Sequence, residues 1–170
     1  PICNTQKPSI TDRWITSRLN HTIEKVKQTL DQYRFDLAAQ ALYEFIWNDY
    51  CDWYLEIAKC QLNDATTSDD ASAMTRYTLL STLETALRLM HPIMPFITEE
   101  IWQSIKQPLN IQEPSIMMAT YPASSQDQED PQAEQSVEWL KTLIGQIRNI
   151  RSEMHVPPGQ RIEALLHHGN

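Results

Sequence analysis

The side chains that could do chemistry in this chain of 170 residues are few and widely spaced. Five histidines and three cysteines are scattered along it, without the close and regular spacing that a structural zinc site needs. With only three glycines, the chain has neither a GxxxxGKS/T nor a GxGxxG sequence, so no phosphate-binding loop is predicted. The chain by itself is therefore predicted to hold no metal and to be non-catalytic.

Adjacent carboxylates at Glu99 and Glu100 could serve general acid–base catalysis. They follow Pro95 in the first turn of a predicted helix, where the positive end of the helix dipole stabilises negative charge. We interpret the pair as helix-stabilising acids, in preference to a catalytic role.

The composition is that of a globular protein, with 41% hydrophobic residues, 21% charged residues and a formal net charge of −8. This acidic balance excludes a polycation that coats nucleic acid, but it permits recognition of a folded RNA by a few placed residues. The odd number of cysteines, with no CxxC pair, favours a reducing cytosol over a disulfide framework. There is no apolar run of about 18 residues and no signal-peptide pattern, so neither a membrane span nor secretion is expected. The first residue is Pro and not Met, and we expect a fragment of a longer chain.

Helical periodicity runs through nearly the whole sequence and predicts an all-α antiparallel bundle of about five helices. The predicted helices follow Ser9 up to about residue 30, Phe35 to Cys60, Asp70 to Met90, Pro95 to Lys106, and Pro131 to about Met154. The second of them carries apolar and aromatic side chains on two faces, so we expect it at the centre of the bundle. Ser115 to Tyr121 has an extended, strand-like pattern, and Arg161 to Leu166 could begin a strand.

The charges are segregated along the chain. Residues 1–34 hold six basic and three acidic side chains, whereas residues 92–140 hold one lysine and eight acids. The last thirty residues are again slightly basic, through side chains that include Arg148 and Arg151. Solvated helix faces and RNA contacts explain these basic stretches equally well.

Four segments carry a family resemblance. Residues 12–19 read DRWITSRL and residues 91–103 read HPIMPFITEEIWQ, and both resemble the anticodon-binding helical domain of class I aminoacyl-tRNA synthetases for aliphatic amino acids. Residues 33–59 and the IRNIRSEMHVPPG sequence of residues 147–159 are similar to the valyl-tRNA synthetases in particular. The resemblance covers about residues 11–166.

This resemblance implies that the full-length protein activates valine with ATP and Mg and transfers it to the tRNA for valine. The His-x-Gly-His and Lys-Met-Ser-Lys-Ser signatures of the ATP site are absent here, so the fragment is expected to recognise tRNA without catalysing the reaction. The resemblance also divides the chain into three parts: a linker from the missing catalytic body at 1–10, the helical domain at 11–155, and a truncated segment at 156–170. The other expected partner is the enzyme's own catalytic domain, in a cytoplasmic monomer without membrane contact.

Four residues are candidates for tRNA contact. By the resemblance, Phe96 would stack on an unstacked anticodon base, although a core or staple phenylalanine is an equal alternative. Arg76 could meet a phosphate or a base edge, or form an exposed ion pair with Asp69 or Asp70. Arg148 and Arg151 lie a turn apart and could contact the RNA backbone or pair with acids of the bundle.

Two other function classes stay open at this stage. A helical protein-interaction module without an RNA role would suit the acidic surface and the many aromatic residues. An independent small enzyme is disfavoured by the missing motifs. The five tryptophans are expected to be core residues, including Trp53, Trp47 and Trp139.

Overall fold

The computed structural model describes residues 7–157 and 159–160, and it divides the chain into two compact units, Pro1–Glu134 and Gln135–Asn170. Within the described residues all regular structure is helical, which confirms the predicted all-α bundle of about five helices. Two 3₁₀ turns lie in the long connection before the last helix, at Ile116–Met118 and Gln126–Gln128. The helices are α1 (Ile10–Asp31), a continuous helix made of α2 (Phe35–Glu44), a π-helical segment π1 (Phe45–Tyr54) and α3 (Leu55–Asn63), then α4 (Asp69–Met90), α5 (Pro95–Ile105) and α6 (Pro131–Glu153).

Local capping chemistry sets where the helices begin. At α1, the Ser9 hydroxyl accepts from the amide of Asp12 and the Asp12 carboxylate accepts from the amide of Ser9, both at 3.1 Å. This reciprocal pair is a capping box. The cap of α4 is Ser68, whose hydroxyl accepts from the amide of Ala71.

The core of the first unit is built around α1, which packs against α2, π1 and α4. It contributes more buried residues than any other helix, and among them are Trp14, Ile15 and Val26. The expectation that the Phe35 to Cys60 helix occupies the centre with two covered faces was wrong, because Tyr43 and Trp47 on one of those faces are 63% and 55% exposed.

The π-helical segment explains that error. A π-helix is defined by backbone N–H groups that bond five residues back, as the amide of Leu55 at the end of π1 does to the carbonyl of Tyr50. The wider turns place Tyr50 and Tyr54 on the same buried face as Phe45, one turn apart. A constant period of 3.6 residues would place both tyrosines on the same helix face as Trp47. The π-helical turns separate them and leave Trp47 on the exposed side.

A second cluster joins α4, α5 and the connection that follows them. Leu87, Trp102 and Ile116 are its buried members. The indole N–H of Trp102 donates to Glu84 at 2.9 Å, and Glu84 also accepts from Nε and Nη2 of Arg88. Ile116 anchors a 3₁₀ turn at 116–118, where the sequence had suggested extended, strand-like chain.

The first turn of α6 belongs to the first unit and is tied to α1. Arg13 pairs with Asp130 at 2.9 Å, and the Ser17 hydroxyl donates to Glu134. Asp130 also caps the helix, accepting from the amide of Ala133 at 2.9 Å, as the Asp-Pro sequence predicts. In the second unit, α6 ends at Glu153, and the strand suggested for residues 161–166 lies outside the described residues.

Candidate nucleic-acid interface

Phe96 is the most exposed large hydrophobic side chain in the described part of the chain, at 89%. It is the second residue of α5, directly after Pro95. The turn that precedes it is fixed by buried Thr98, whose hydroxyl donates to the carbonyl of Met94 at 2.8 Å and lies 2.7 Å from Nδ1 of His91. Such exposure rules out the core reading of Phe96 and leaves a ring face available on a rigid turn.

An apolar groove lies next to this turn. Tyr43 and Trp47 stack with their ring planes 5° apart and their centroids 6.3 Å apart. Together with Ile93 and Met94 from the turn, they line a cavity of about 360 Å³. This surface was not predicted from the sequence, because the aromatic faces of the Phe35 to Cys60 helix were expected to be covered.

Glu99 lies one turn after Phe96 and is occupied by hydrogen bonds. One carboxylate oxygen accepts from the Gln103 amide at 2.6 Å, and the other accepts from the hydroxyl of Ser115 and the backbone N–H of Ile116. These donors, the Gln103 amide first, hold the pKa of Glu99 below its ordinary value. Glu99 is therefore an ionised acceptor that holds the segment after α5. This role was not predicted from the sequence, where Glu99 was interpreted only as a helix-stabilising acid.

Arg76 is exposed on α4 and makes no ion pair with Asp69 or Asp70 in the described part of the chain. Its guanidinium is thus available to a ligand. Fourteen residues separate it from Met90 at the end of α4, which corresponds to about 21 Å along the helix. Arg76 and Phe96 therefore lie at different levels of the bundle and do not form one contact.

Arg148 and Arg151 belong to the second unit. Arg148 is exposed on α6. Arg151 is half-buried and donates to the backbone carbonyls of Pro157 and Gln160, at 2.5 and 3.0 Å, so it helps to fold the chain back after α6. The two arginines thus differ in exposure, with Arg148 exposed and Arg151 half-buried.

A metal centre and a membrane span are the two other features considered for the described residues. No group of three or more His, Cys, Asp or Glu side chains there could hold a metal ion. None of the described helices is both long enough and apolar enough to cross a membrane.

The comparison with known proteins identifies the family. Residues 12–166 match the family described as the anticodon-binding domain of tRNA ligase, and the chain belongs to that family. A valine–tRNA ligase from Psychrobacter arcticus (strain DSM 17307 / VKM B-2377 / 273-4) is 51% identical to the chain over 156 residues. Those residues are 91% of this chain and 16% of that relative, so the chain spans about a sixth of the relative's length.

Proposed function

We propose that this chain is the tRNA-recognition part of a valine–tRNA ligase, and that it binds the anticodon loop of the tRNA for valine. The observation that carries the proposal is Phe96, an 89% exposed aromatic ring at the start of α5, in a chain that belongs to the anticodon-binding family. Bases of a single-stranded loop can be splayed out and stacked on such a ring, with about 1–3 kcal/mol gained per base. The sequence segment that contains Phe96, residues 92–140, holds eight acids and one lysine, so we expect stacking to contribute more here than attraction of phosphates.

The whole protein would activate valine with ATP and Mg and esterify it to this tRNA. Both ATP signatures are missing from the sequence, so that chemistry would belong to residues outside these 170. In this proposal residues 1–10 lead from the catalytic domain, residues 11–155 form the recognition domain, and residues 156–170 begin a further segment. The protein would act as a monomer in the cytoplasm, with its own catalytic domain as the intramolecular partner.

The alternative of a helical interaction module without an RNA role is not favoured, because the chain belongs to a tRNA ligase family. The discriminating experiment substitutes Phe96→Ala in the full-length protein and measures kcat/KM for charging of the valine tRNA. We expect a loss of about 1–3 kcal/mol in transition-state binding. Valine-dependent pyrophosphate exchange should not change, because that reaction does not use the anticodon.

Phe35→Ala is the matched control. Phe35 is also an exposed phenylalanine in the first turn of a helix, at 61%, but it lies on α2. It should leave charging at the wild-type rate. Equal charging by Phe96→Ala and Phe35→Ala would contradict the proposal.

Stacking discriminates little between bases, so a polar side chain is needed to recognise which base is present. Arg76 is our candidate for this side chain. Because Arg76 lies far from Phe96 along the bundle, it would contact a different nucleotide. The loss caused by Arg76→Ala should shrink when the anticodon is already mutated, since both changes remove the same interaction. Undiminished loss with the mutated anticodon would show that Arg76 contacts the tRNA elsewhere or not at all.

Arg148 and Arg151 are proposed as contacts to the RNA backbone, with Arg148 tested first because its side chain is exposed and that of Arg151 is half-buried. A phosphate contact is sequence-independent and weakens with salt. Arg148→Ala should therefore weaken tRNA binding and reduce its dependence on salt concentration. A salt dependence equal to that of the wild type would exclude the contact.

A further inference from the structure

The segment after α5 runs back along that helix toward Phe96. Three sets of contacts join this segment to α5. Residue numbers rise along the segment while those of the partners on α5 fall, so the segment runs antiparallel to the helix. The contacts pair Lys106 with the carbonyl of Glu113, Gln103 with the carbonyl of Pro114, and Glu99 with Ser115 and Ile116. Continued by one step past Ile116, the same order would bring Met117 toward Phe96, which precedes Glu99 by three residues.

The chain beyond this point lies at the same end of the bundle. Arg88 donates to the carbonyl of Thr120, and the hydroxyl of Tyr121 donates to the carbonyl of Leu89 at 3.3 Å. Leu89 is the penultimate residue of α4, just before the turn that leads to α5. The turn at 116–118 is thus held between Glu99 on one side and the end of α4 on the other.

Two side chains of this turn are left in solvent. Met117 is 77% exposed and Met118 is 70% exposed, whereas the residue before them, Ile116, is buried at 3%. Methionine is flexible and polarisable, and it makes favourable contacts with aromatic rings and other flat groups. A side chain of this kind suits one wall of a slot for a planar ligand, and an exposed phenylalanine suits the other.

We infer that Glu99 is a positioning residue for tRNA recognition: it docks the Ser115–Met118 turn against α5, so that Met117 and Phe96 form two walls of a nucleobase slot. The inference rests on the proposed function, because it assumes that Phe96 stacks on a base. Phe96 and Glu99 are three residues apart and share one face of α5, which lets one carboxylate set the distance between the two walls. The carboxylate accepts three hydrogen bonds, so its role is geometric and involves no bond-making.

The test uses Glu99→Gln in the full-length protein, with charging of the valine tRNA as the readout. The substitution replaces one acceptor oxygen with an NH₂ group, which cannot accept from the Ile116 amide or from Gln103. We expect kcat/KM for the tRNA to fall by roughly tenfold, through KM and not through kcat. Glu100→Gln makes the same chemical change at the next residue, whose carboxylate accepts no hydrogen bond among the described residues, and it should charge as the wild type does.

A positioning role is separated from a merely structural one by combining Glu99→Gln with Phe96→Ala. If Glu99 acts through the slot, the loss caused by Glu99→Gln should largely vanish when Phe96 is already Ala. A structural defect would instead add its full effect in both backgrounds. Additive losses, or a Glu99→Gln enzyme that charges as Glu100→Gln does, would overturn the inference.

Met117 provides a second variant that does not affect the core. Met117→Ala should raise KM for the tRNA, and Met117→Leu should restore most of the affinity because it restores the bulk of the wall. Wild-type charging by Met117→Ala would also overturn the inference. The Phe96→Ala variant separates the two possible failures. If the slot inference alone is wrong, Phe96→Ala still charges poorly; if the proposed function is wrong, Phe96→Ala charges normally.

Discussion

Asp12 is a buried carboxylate of the first unit with more than one hydrogen-bond donor. It is 1% exposed, and it accepts from Ser9 as well as from the phenol of Tyr54 at 2.6 Å. Burial raises the pKa of Tyr54 far above its ordinary value, and the charge of Asp12 raises it further. Tyr54 therefore stays protonated and donates to Asp12 throughout the physiological pH range.

Tyr54→Phe should lower the free energy of unfolding by about 1.5–3 kcal/mol, because it removes a donor from a buried charge. Tyr50→Phe is the comparison: its hydroxyl donates to the neutral carbonyl of Leu79, so about 0.5–1.5 kcal/mol should be lost. Urea denaturation of the 170-residue chain measures both. A larger loss for Tyr50→Phe than for Tyr54→Phe would contradict this account of the core.

The residues of the candidate site differ in how far the sequence could reveal them. Phe96 was identified because it stands in a recognisable family segment. Glu99 stands in the same segment, but its role depends on Ser115, sixteen residues away, and no local pattern specifies that contact. Arg76 was correctly expected on α4, while its missing ion pair with Asp69 or Asp70 depends on side-chain geometry that the sequence does not state.

At the level of elements, helix ends were predictable and one buried face was not. Ser9, Pro95 and Asp130 mark starts through capping chemistry that needs only neighbouring residues. The face buried by the Phe35–Asn63 helix depends on the π-helical turns in its middle. No residue type specifies those turns, so a constant 3.6-residue period assigned Trp47 and Trp53 to the core.

The tryptophans test this reading of the elements. Trp102 is fully buried and bonded to Glu84, Trp53 is half-buried, and Trp47 is 55% exposed. Replacement by Ala should cost about 3–5 kcal/mol at Trp102, less at Trp53, and under about 1 kcal/mol at Trp47. Denaturation of the three variants measures these losses as changes in the free energy of unfolding. A loss for Trp47→Ala as large as that for Trp102→Ala would contradict the π-helical register.

On the scale of the whole molecule, we propose that the chain supplies recognition surface for a reaction that other parts of the full-length protein catalyse. The purified 170-residue chain should therefore show no valine-dependent pyrophosphate exchange above a buffer blank, because both ATP signatures are absent from it. A full-length valine–tRNA ligase assayed in parallel is the positive control. Exchange catalysed by the chain alone would show that an ATP site has been overlooked.

The central claim is that Phe96 stacks on a base of the anticodon loop, and photo-crosslinking tests it most directly. A tRNA for valine carrying 5-iodouridine at one anticodon-loop position at a time is irradiated in complex with the full-length protein, and the adduct is mapped by mass spectrometry. We predict an adduct on Phe96 from at least one position, which Phe96→Ala abolishes and Phe35→Ala retains. Adducts that map only to other surfaces, with the Phe96 peptide unmodified at every position, would contradict the account.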